Sequence, residues 1–245
     1  MSPFRSSRAE DLPRSRAVPF AVVTVFAVLF TMTMLLPFGP RSGAATPAAT
    51  DHGSAHALSH PRAPLNNQQR RFHDQMRKLW EDHVTWTRLA IVTFAADTDG
   101  FDTTAARLLQ NQTDIGDAIK PFYGEAAGTR LTALLNDHIL IAVDLLQAAK
   151  AGDTAAVEAA DARWTENANQ IADLLAAANP RNWTRSELRA MMRTHLTQTF
   201  DEAAHELSGS YQASVADYER VHAHILQMAD ALSSGIMAQF PSRFH

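Results

Sequence analysis

Apolar residues recur every three or four positions from Arg71 onward, the spacing that places an apolar stripe along one face of a helix. Six such stretches are separated by short breaks that contain glycine or proline, such as Gly152-Asp153 and Asn179-Pro180. The alternating pattern of β-strands is essentially absent. We therefore predict an all-α fold, a helical bundle of about six helices built from three repeated antiparallel hairpins, because short turns join consecutive helices.

Local signals predict where individual helices begin and end. The second helix is expected to run from about Asp102 to Ile119, because Pro121 cannot continue the helical hydrogen bonds and Gly124 favours a turn. The fifth helix is expected to start at Thr184, which has Glu187 three residues later in the spacing of a capping box.

One histidine recurs in each of the three predicted hairpins. His195 lies 57 positions after His138, and His83 lies 55 positions before it. Each of these histidines falls within the apolar stripe of its helix. A second set of polar residues recurs on the following helix of each hairpin, namely Asn111, Asn167 and His224. We therefore expect the two sets to form one polar layer through an otherwise apolar core.

A buried polar layer needs partners, since an unpaired buried polar group costs about 1–3 kcal/mol. In one interpretation the histidines and asparagines hydrogen-bond to each other and set the register of the helices. In the other, neutral imidazoles converge on a transition metal such as Zn, Cu, Fe or Ni. The candidate metal ligands are His83, His138, His195, His224 and Glu202, and the polar layer is completed by Asn111 and Asn167.

The N-terminal part of the chain has a different composition. Residues 17–38 are uncharged and apolar, and they follow a basic stretch, residues 1–16, which we assign to the cytoplasm. An apolar run of about 20 residues is long enough to span a bilayer. We predict a transmembrane anchor or signal helix here, in a single-pass protein of the cell membrane whose C-terminal domain is extracytoplasmic. The alternative is secretion after cleavage near Ala44 or Ala45.

Residues 39–70 are rich in Gly, Pro, Ala, Ser and Asn and are predicted to be a flexible linker, which leaves residues 71–245 as the extracytoplasmic helical domain. Within the linker His52, His56 and His60 are spaced four residues apart. This spacing makes them candidate ligands for a metal ion, and a polar tether is the alternative interpretation.

Composition and motifs narrow the functional classes. The net charge of -4 argues against nucleic acid as a partner, and the lack of cysteine excludes disulfides and thiol chemistry. A glycine-rich phosphate loop, a Gly-x-Ser-x-Gly elbow and a His-Glu-x-x-His motif are all missing. The sequence favours a non-enzymatic binding or interaction module tethered to the membrane, with a protein partner or a metal ion as its ligand. A metal-binding protein that uses the polar layer is the alternative.

Four segments carry a resemblance to a known family. They read LWEDHVTWTR from Leu79, NQTDIGDAIKPFYG from Asn111, LLNDHILIA from Leu134 and VHAHILQMADALSSGI from Val221. Together they resemble a family of bacterial exported or membrane-anchored all-helical proteins without an established function. Some members of that family carry enzyme names such as glycosyltransferase. The resemblance covers about residues 70–244 and implies a helical fold without implying a mechanism.

Overall fold

The computed structural model describes residues 64–245. The predicted anchor, the linker histidines His52, His56 and His60 and the predicted cleavage positions lie outside the described residues. Six helices follow one another: α1 Asn67–Ala95, α2 Phe101–Tyr123, α3 Glu125–Ala151, α4 Thr154–Ala178, α5 Arg185–Leu207 and α6 Tyr211–Gln239. A short 3-10 turn, Pro241–Arg243, follows α6. The predicted all-α class is therefore confirmed for the described part of the chain.

Consecutive helices pack as antiparallel neighbours, and α6 also packs against α1. The turns after α1, α3 and α5 lie at one end of the bundle, which we call the turn end. Both ends of the described chain lie at the other, which we call the terminal end, where Asn66 Nδ2 donates to the Phe244 carbonyl at 2.8 Å. The helices therefore form a closed ring around one core.

Two helix boundaries differ from the sequence prediction. Helix α1 begins at Asn67, before the predicted start at Arg71, because Asn66 and Gln69 form a capping box that extends it. Helix α2 continues through Pro121 to Tyr123, so the predicted end at Ile119 is wrong. The capping box of α5 between Thr184 and Glu187 is present as predicted.

Aromatic packing explains why α2 extends beyond its proline. Phe122 packs between Phe72 and Phe244, at ring-centroid distances of 5.1 Å and 5.6 Å, and Tyr123 lies 5.4 Å from Phe240. The apolar area buried at this contact favours one more helical turn, although Pro121 cannot donate a backbone hydrogen bond. Gly124, with φ of 85°, then ends the helix.

Helix α3 is apolar along much of its length. Among the described residues it is the one helix that is long and apolar enough to cross a membrane by length and composition. The core helix of a soluble bundle meets the same criterion, and Leu131, Leu134 and Leu145 of α3 are buried in the core here.

Candidate functional site

The three recurring histidines meet at the middle of the core. His83 on α1, His138 on α3 and His195 on α5 are all buried. The ring centroid of His195 lies 5.7 Å from that of His83 and 6.1 Å from that of His138. Trp80 and Trp164 pack against the outer two rings. We call His83, His138 and His195 the histidine layer.

Burial keeps the histidine layer uncharged. Desolvation is the main cause that lowers the pKa of His83 to about 3, and the nearby His138 lowers it further. Desolvation also lowers the pKa of His138 to about 4, against the hydrogen bond with Asn167. Desolvation also lowers the pKa of His195 well below its usual value, and the neighbouring histidines lower it further. All three rings are therefore neutral at pH 7.

The hydrogen bonds of Asn167 assign the tautomer of His138. Asn167 Nδ2 donates to the Leu134 carbonyl at 3.0 Å, so its Oδ1 is the acceptor that faces the His138 ring. His138 Nδ1 lies 2.9 Å from this oxygen and therefore carries the proton. This pair is a hydrogen bond between histidine and asparagine, the kind of contact that the structural interpretation of the polar layer expects.

The first hairpin uses a residue that the repeat did not indicate. Gln112 is completely buried, and its Nε2 lies 3.3 Å from His83 Nδ1, to which it donates. Asn111, which the sequence placed in the same polar layer, donates to the Leu79 carbonyl at 3.0 Å. Asn111 therefore points to the backbone of α1, and Gln112 reaches the ring of His83.

The third hairpin pairs its histidines differently again. His224 Nε2 lies 2.9 Å from the Met191 carbonyl rather than from the His195 ring. His195 Nδ1 is buried without a hydrogen-bond partner among residues 64–245. The second-helix residues nevertheless share one geometry, since each binds the carbonyl four residues before the histidine of its hairpin: Asn111 to Leu79, Asn167 to Leu134 and His224 to Met191.

Glu202, the predicted carboxylate ligand, belongs to a different layer of the core. It lies two helical turns after His195, and its Oε1 pairs with Arg88 Nη1 at 3.2 Å. Arg88 also contacts Glu206 at 3.0 Å and Ser214 at 2.5 Å, so four helix-borne polar side chains satisfy each other. Desolvation raises the pKa of Glu202 to about 7, with the Arg88 charge opposing it and Glu206 adding to it.

The structure thus brings three of the five predicted metal ligands together and leaves His224 and Glu202 in other contacts. Within residues 64–245 no group of three His, Asp or Glu side chains is arranged to hold a metal ion. The lone pair of His83 Nδ1 is occupied by Gln112, and Nδ1 of His138 carries a proton. Two of the three residues of the histidine layer, His83 and His138, thus make hydrogen bonds to a neighbouring helix.

A groove between α4 and α5 is the second candidate site. Its volume is about 620 Å³, within the range of about 300–1,000 Å³ for small-molecule sites. It runs from the turn end to about the middle of the bundle. Its apolar lining comes from both helices and consists of Val157, Leu196, Phe200 and Ala204.

Three carboxylates line the turn end of this groove: Glu158, Asp161 and Asp201. None has an ion-pair or hydrogen-bond partner within residues 64–245. Desolvation raises the pKa of Asp161, and it raises that of Asp201 against the lowering effect of His205 and Arg220. By contrast, Asp173 farther along α4 is held by Arg189 in two hydrogen bonds of 2.8 and 2.7 Å.

His205 belongs both to this groove and to the buried interior. It lines the groove, and its Nδ1 lies 2.5 Å from Oδ2 of Asp217, which is 1% exposed. Asp217 also contacts Arg220. The carboxylate accepts the Nδ1 proton, so only Nε2 remains available to a ligand. A buried aspartate therefore sets the orientation of an imidazole at the edge of the groove.

Sequence reasoning did not find the groove or the Arg88 cluster. The carboxylates of the groove occupy polar positions of two helices that belong to different predicted hairpins. Such positions have the pattern of an ordinary solvent-facing helix surface. The spacing of Val157, Asp161 and Thr165 at successive turns of α4 is the one signal that the sequence contains.

Comparison of the chain with protein-family models, with curated proteins and with solved structures gave no match.

Proposed function

We propose that the helical domain is a non-enzymatic binding module that takes a small ligand in the groove between α4 and α5. The observation that carries this proposal is the groove itself, because its volume suits a small molecule and its apolar lining meets unpaired polar groups. The core, by comparison, is closed by packed apolar and hydrogen-bonded side chains.

The proposed tether to the membrane fits the position of the groove. Residues 17–38 act as the anchor in this proposal, or as a signal helix that is cleaved, and the domain is extracytoplasmic in both cases. The described chain starts at the terminal end, whereas Ser208 and Ser210 of the groove belong to the turn end. Helix α1 has 29 residues and spans about 43 Å at 1.5 Å per residue. The groove would therefore open away from the linker, toward ligands in solution.

We also propose that the three hairpins derive from one repeated unit. The equivalent hydrogen bonds of Asn111, Asn167 and His224 to carbonyls four residues before the hairpin histidines support this relation. In this proposal the repeat explains the polar layer, and the groove is a later feature of the contact between the second and third hairpins.

Ligand binding in the groove can be tested by fluorine NMR. The chain has no cysteine, so Thr197→Cys on the groove wall can carry a single trifluoromethyl label in the full chain. We expect 4-phenylbutanol to shift this signal and to leave a label at Ala133→Cys, exposed on α3, unchanged. Detergent or lipid effects would move both labels.

Filling the groove supplies the matched variant. Ala204→Trp should weaken binding of 4-phenylbutanol at least about tenfold, since the indole occupies the site, and Ala133→Trp should leave the affinity unchanged. Thr165→Trp on the opposite wall is a second filling variant if Ala204→Trp does not fold. An unmoved Thr197 label, or full affinity in both filled variants, would contradict the proposal.

Metal binding by the histidine layer stays a prediction, as does metal binding by the linker histidines. The unpaired Nδ1 of His195 favours it, and the bonds of His83 and His138 favour a structural layer. Elemental analysis of the full chain, purified without a histidine tag, and thermal unfolding with Zn, Cu, Ni or Fe distinguish the two. Stoichiometric metal, or a midpoint raised by one ion alone, would establish a metal site.

A further inference from the structure

The turn end of the α4–α5 groove presents an excess of negative charge to any ligand. Glu158, Asp161 and Asp201 line it and lack partners in the described part of the chain, and Arg193 is the one Arg or Lys among the lining residues. Arg193 precedes Asp201 by eight residues on α5, which corresponds to about 12 Å along the helix. Among the described residues, His205 and Arg220 lower the pKa of Asp201 without forming an ion pair with it, and no cation lowers that of Asp161, so negative charge remains in excess at the acidic end.

The hydrogen-bonding groups at the turn end of the groove also favour a ligand that donates hydrogen bonds. Ionised carboxylates only accept hydrogen bonds, and Glu158, Asp161 and Asp201 place three carboxylates at this end. An ammonium group has three donors and no acceptor. A ligand carboxylate or phosphate would instead meet like charge.

We infer that the groove binds a small organic cation, an ammonium group attached to an apolar body. The ammonium group lies among Glu158, Asp161 and Asp201, and the apolar body packs on Leu196, Phe200 and Val157. This inference rests on the proposed function and names the ligand class of the same site.

Desolvation of the carboxylates supports this assignment. The pKa of Asp161 is raised by desolvation, with no opposing contribution from a cation. A bound ammonium group supplies a positive charge that pairs with the carboxylate. A neutral ligand removes water from the carboxylate without providing a counter-charge. Cation binding is therefore favoured over binding of a neutral molecule with the same carbon frame.

Three ligands with one carbon frame test the charge preference: 4-phenylbutylamine, 4-phenylbutanol and 4-phenylbutyrate. Each is titrated into the full chain with the label at Thr197→Cys, and the Ala133→Cys label provides the blank. We expect the amine to bind about tenfold more tightly than the alcohol, and the carboxylate to bind more weakly than both.

Variants that remove carboxylate charges test which residues cause the preference for the amine over the alcohol. The double variant Asp161→Asn, Asp201→Asn keeps the shape of the groove and should reduce the advantage of the amine over the alcohol to under about threefold. Asp137→Asn is the matched control, because Asp137 is an exposed carboxylate of α3 outside the groove. It should leave the tenfold ratio unchanged.

Failure of this inference can be told apart from failure of the proposed function. Equal binding of amine and alcohol at the Thr197 label, lost for both in Ala204→Trp, would keep the groove as a binding site and overturn the cation preference. An amine preference that survives in the double variant would also overturn the assignment to Asp161 and Asp201. No shift of the Thr197 label with any ligand would overturn both.

Discussion

The core and the α4–α5 groove both contain ionisable side chains, but among residues 64–245 those of the core are neutral or paired and the carboxylates of the groove are unpaired. In the core His138 is kept neutral, and Glu202 is balanced by Arg88. In the groove Asp161 and Asp201 have no such partner within the described residues. Polar groups in the core contact each other between helices, whereas Asp161 and Asp201 in the groove make no such contact in the described part of the chain. The comparison predicts that substitutions in the core cost stability and that those in the groove cost binding.

The largest loss of stability is expected from Arg88→Met. Glu202 and Glu206 would then be buried without a counter-charge, which costs about 3–5 kcal/mol when one partner of a buried pair is removed. Urea unfolding of the full chain measures this loss. Arg163→Met is the matched control, because Arg163 pairs with Asp144 at the surface and should cost less than about 1 kcal/mol. Equal effects of the two substitutions would contradict the buried cluster.

A smaller loss is expected from Asn167→Leu. The substitution removes the acceptor for His138 Nδ1 and the donor to the Leu134 carbonyl, and unpaired buried groups cost about 1–3 kcal/mol. Urea unfolding is again the measurement, with Gln170→Leu on the exposed side of α4 as the control. An unchanged free energy of unfolding in Asn167→Leu would mean that the histidine layer is not held by this bond.

The histidine layer also predicts how stability depends on pH. The unfolded chain binds protons at its histidines near pH 6.5, whereas the folded pKa of His138 is about 4, so acid favours the unfolded state. Between pH 7 and pH 4.5 His138 alone should lower the free energy of unfolding by about 2 kcal/mol. The variant His138→Gln should remove this part of the acid loss, as urea unfolding at the two pH values would reveal.

Glu202 changes the free energy of unfolding in the opposite direction over nearly the same pH interval. Its folded pKa of about 7 lies above the ordinary value of 4.5, so the folded state takes up this proton first as the pH falls. His83 and His138 together should outweigh this gain, and the wild type should lose stability in acid. A wild type that gains stability from pH 7 to pH 4.5 would contradict neutral histidines in the core.

The smallest effect on stability is expected from Asp161→Asn in the groove. This carboxylate has no partner to lose, so the free energy of unfolding should change by less than about 0.5 kcal/mol. Asp173→Asn, on the same helix outside the groove, should cost more stability than Asp161→Asn because it breaks the pair with Arg189. A large loss in Asp161→Asn alone would show that the groove carboxylates have a structural role.

The sequence by itself determined the helical class and the content of the middle of the core. Helical spacing depends on residues three and four positions apart, so local pattern was enough to predict six helices. The same spacing placed His83, His138 and His195 on apolar stripes, and the structure buries all three. Pro121 misled the prediction, because a local helix-ending signal was overridden by the packing of Phe122 at the terminal end.

Only the tertiary structure decided which polar groups become partners and which stay open. Gln112 rather than Asn111 reaches His83. Arg88 on α1 pairs with Glu202 on α5, which follows it by more than a hundred residues in the sequence. The groove depends in the same way on the contact of α4 with α5, two helices of different hairpins. Periodicity assigns a residue to a face of its own helix, but the angle and register between helices follow from the packing of the whole ring. Those two quantities determine whether a polar face is paired or is left lining a groove.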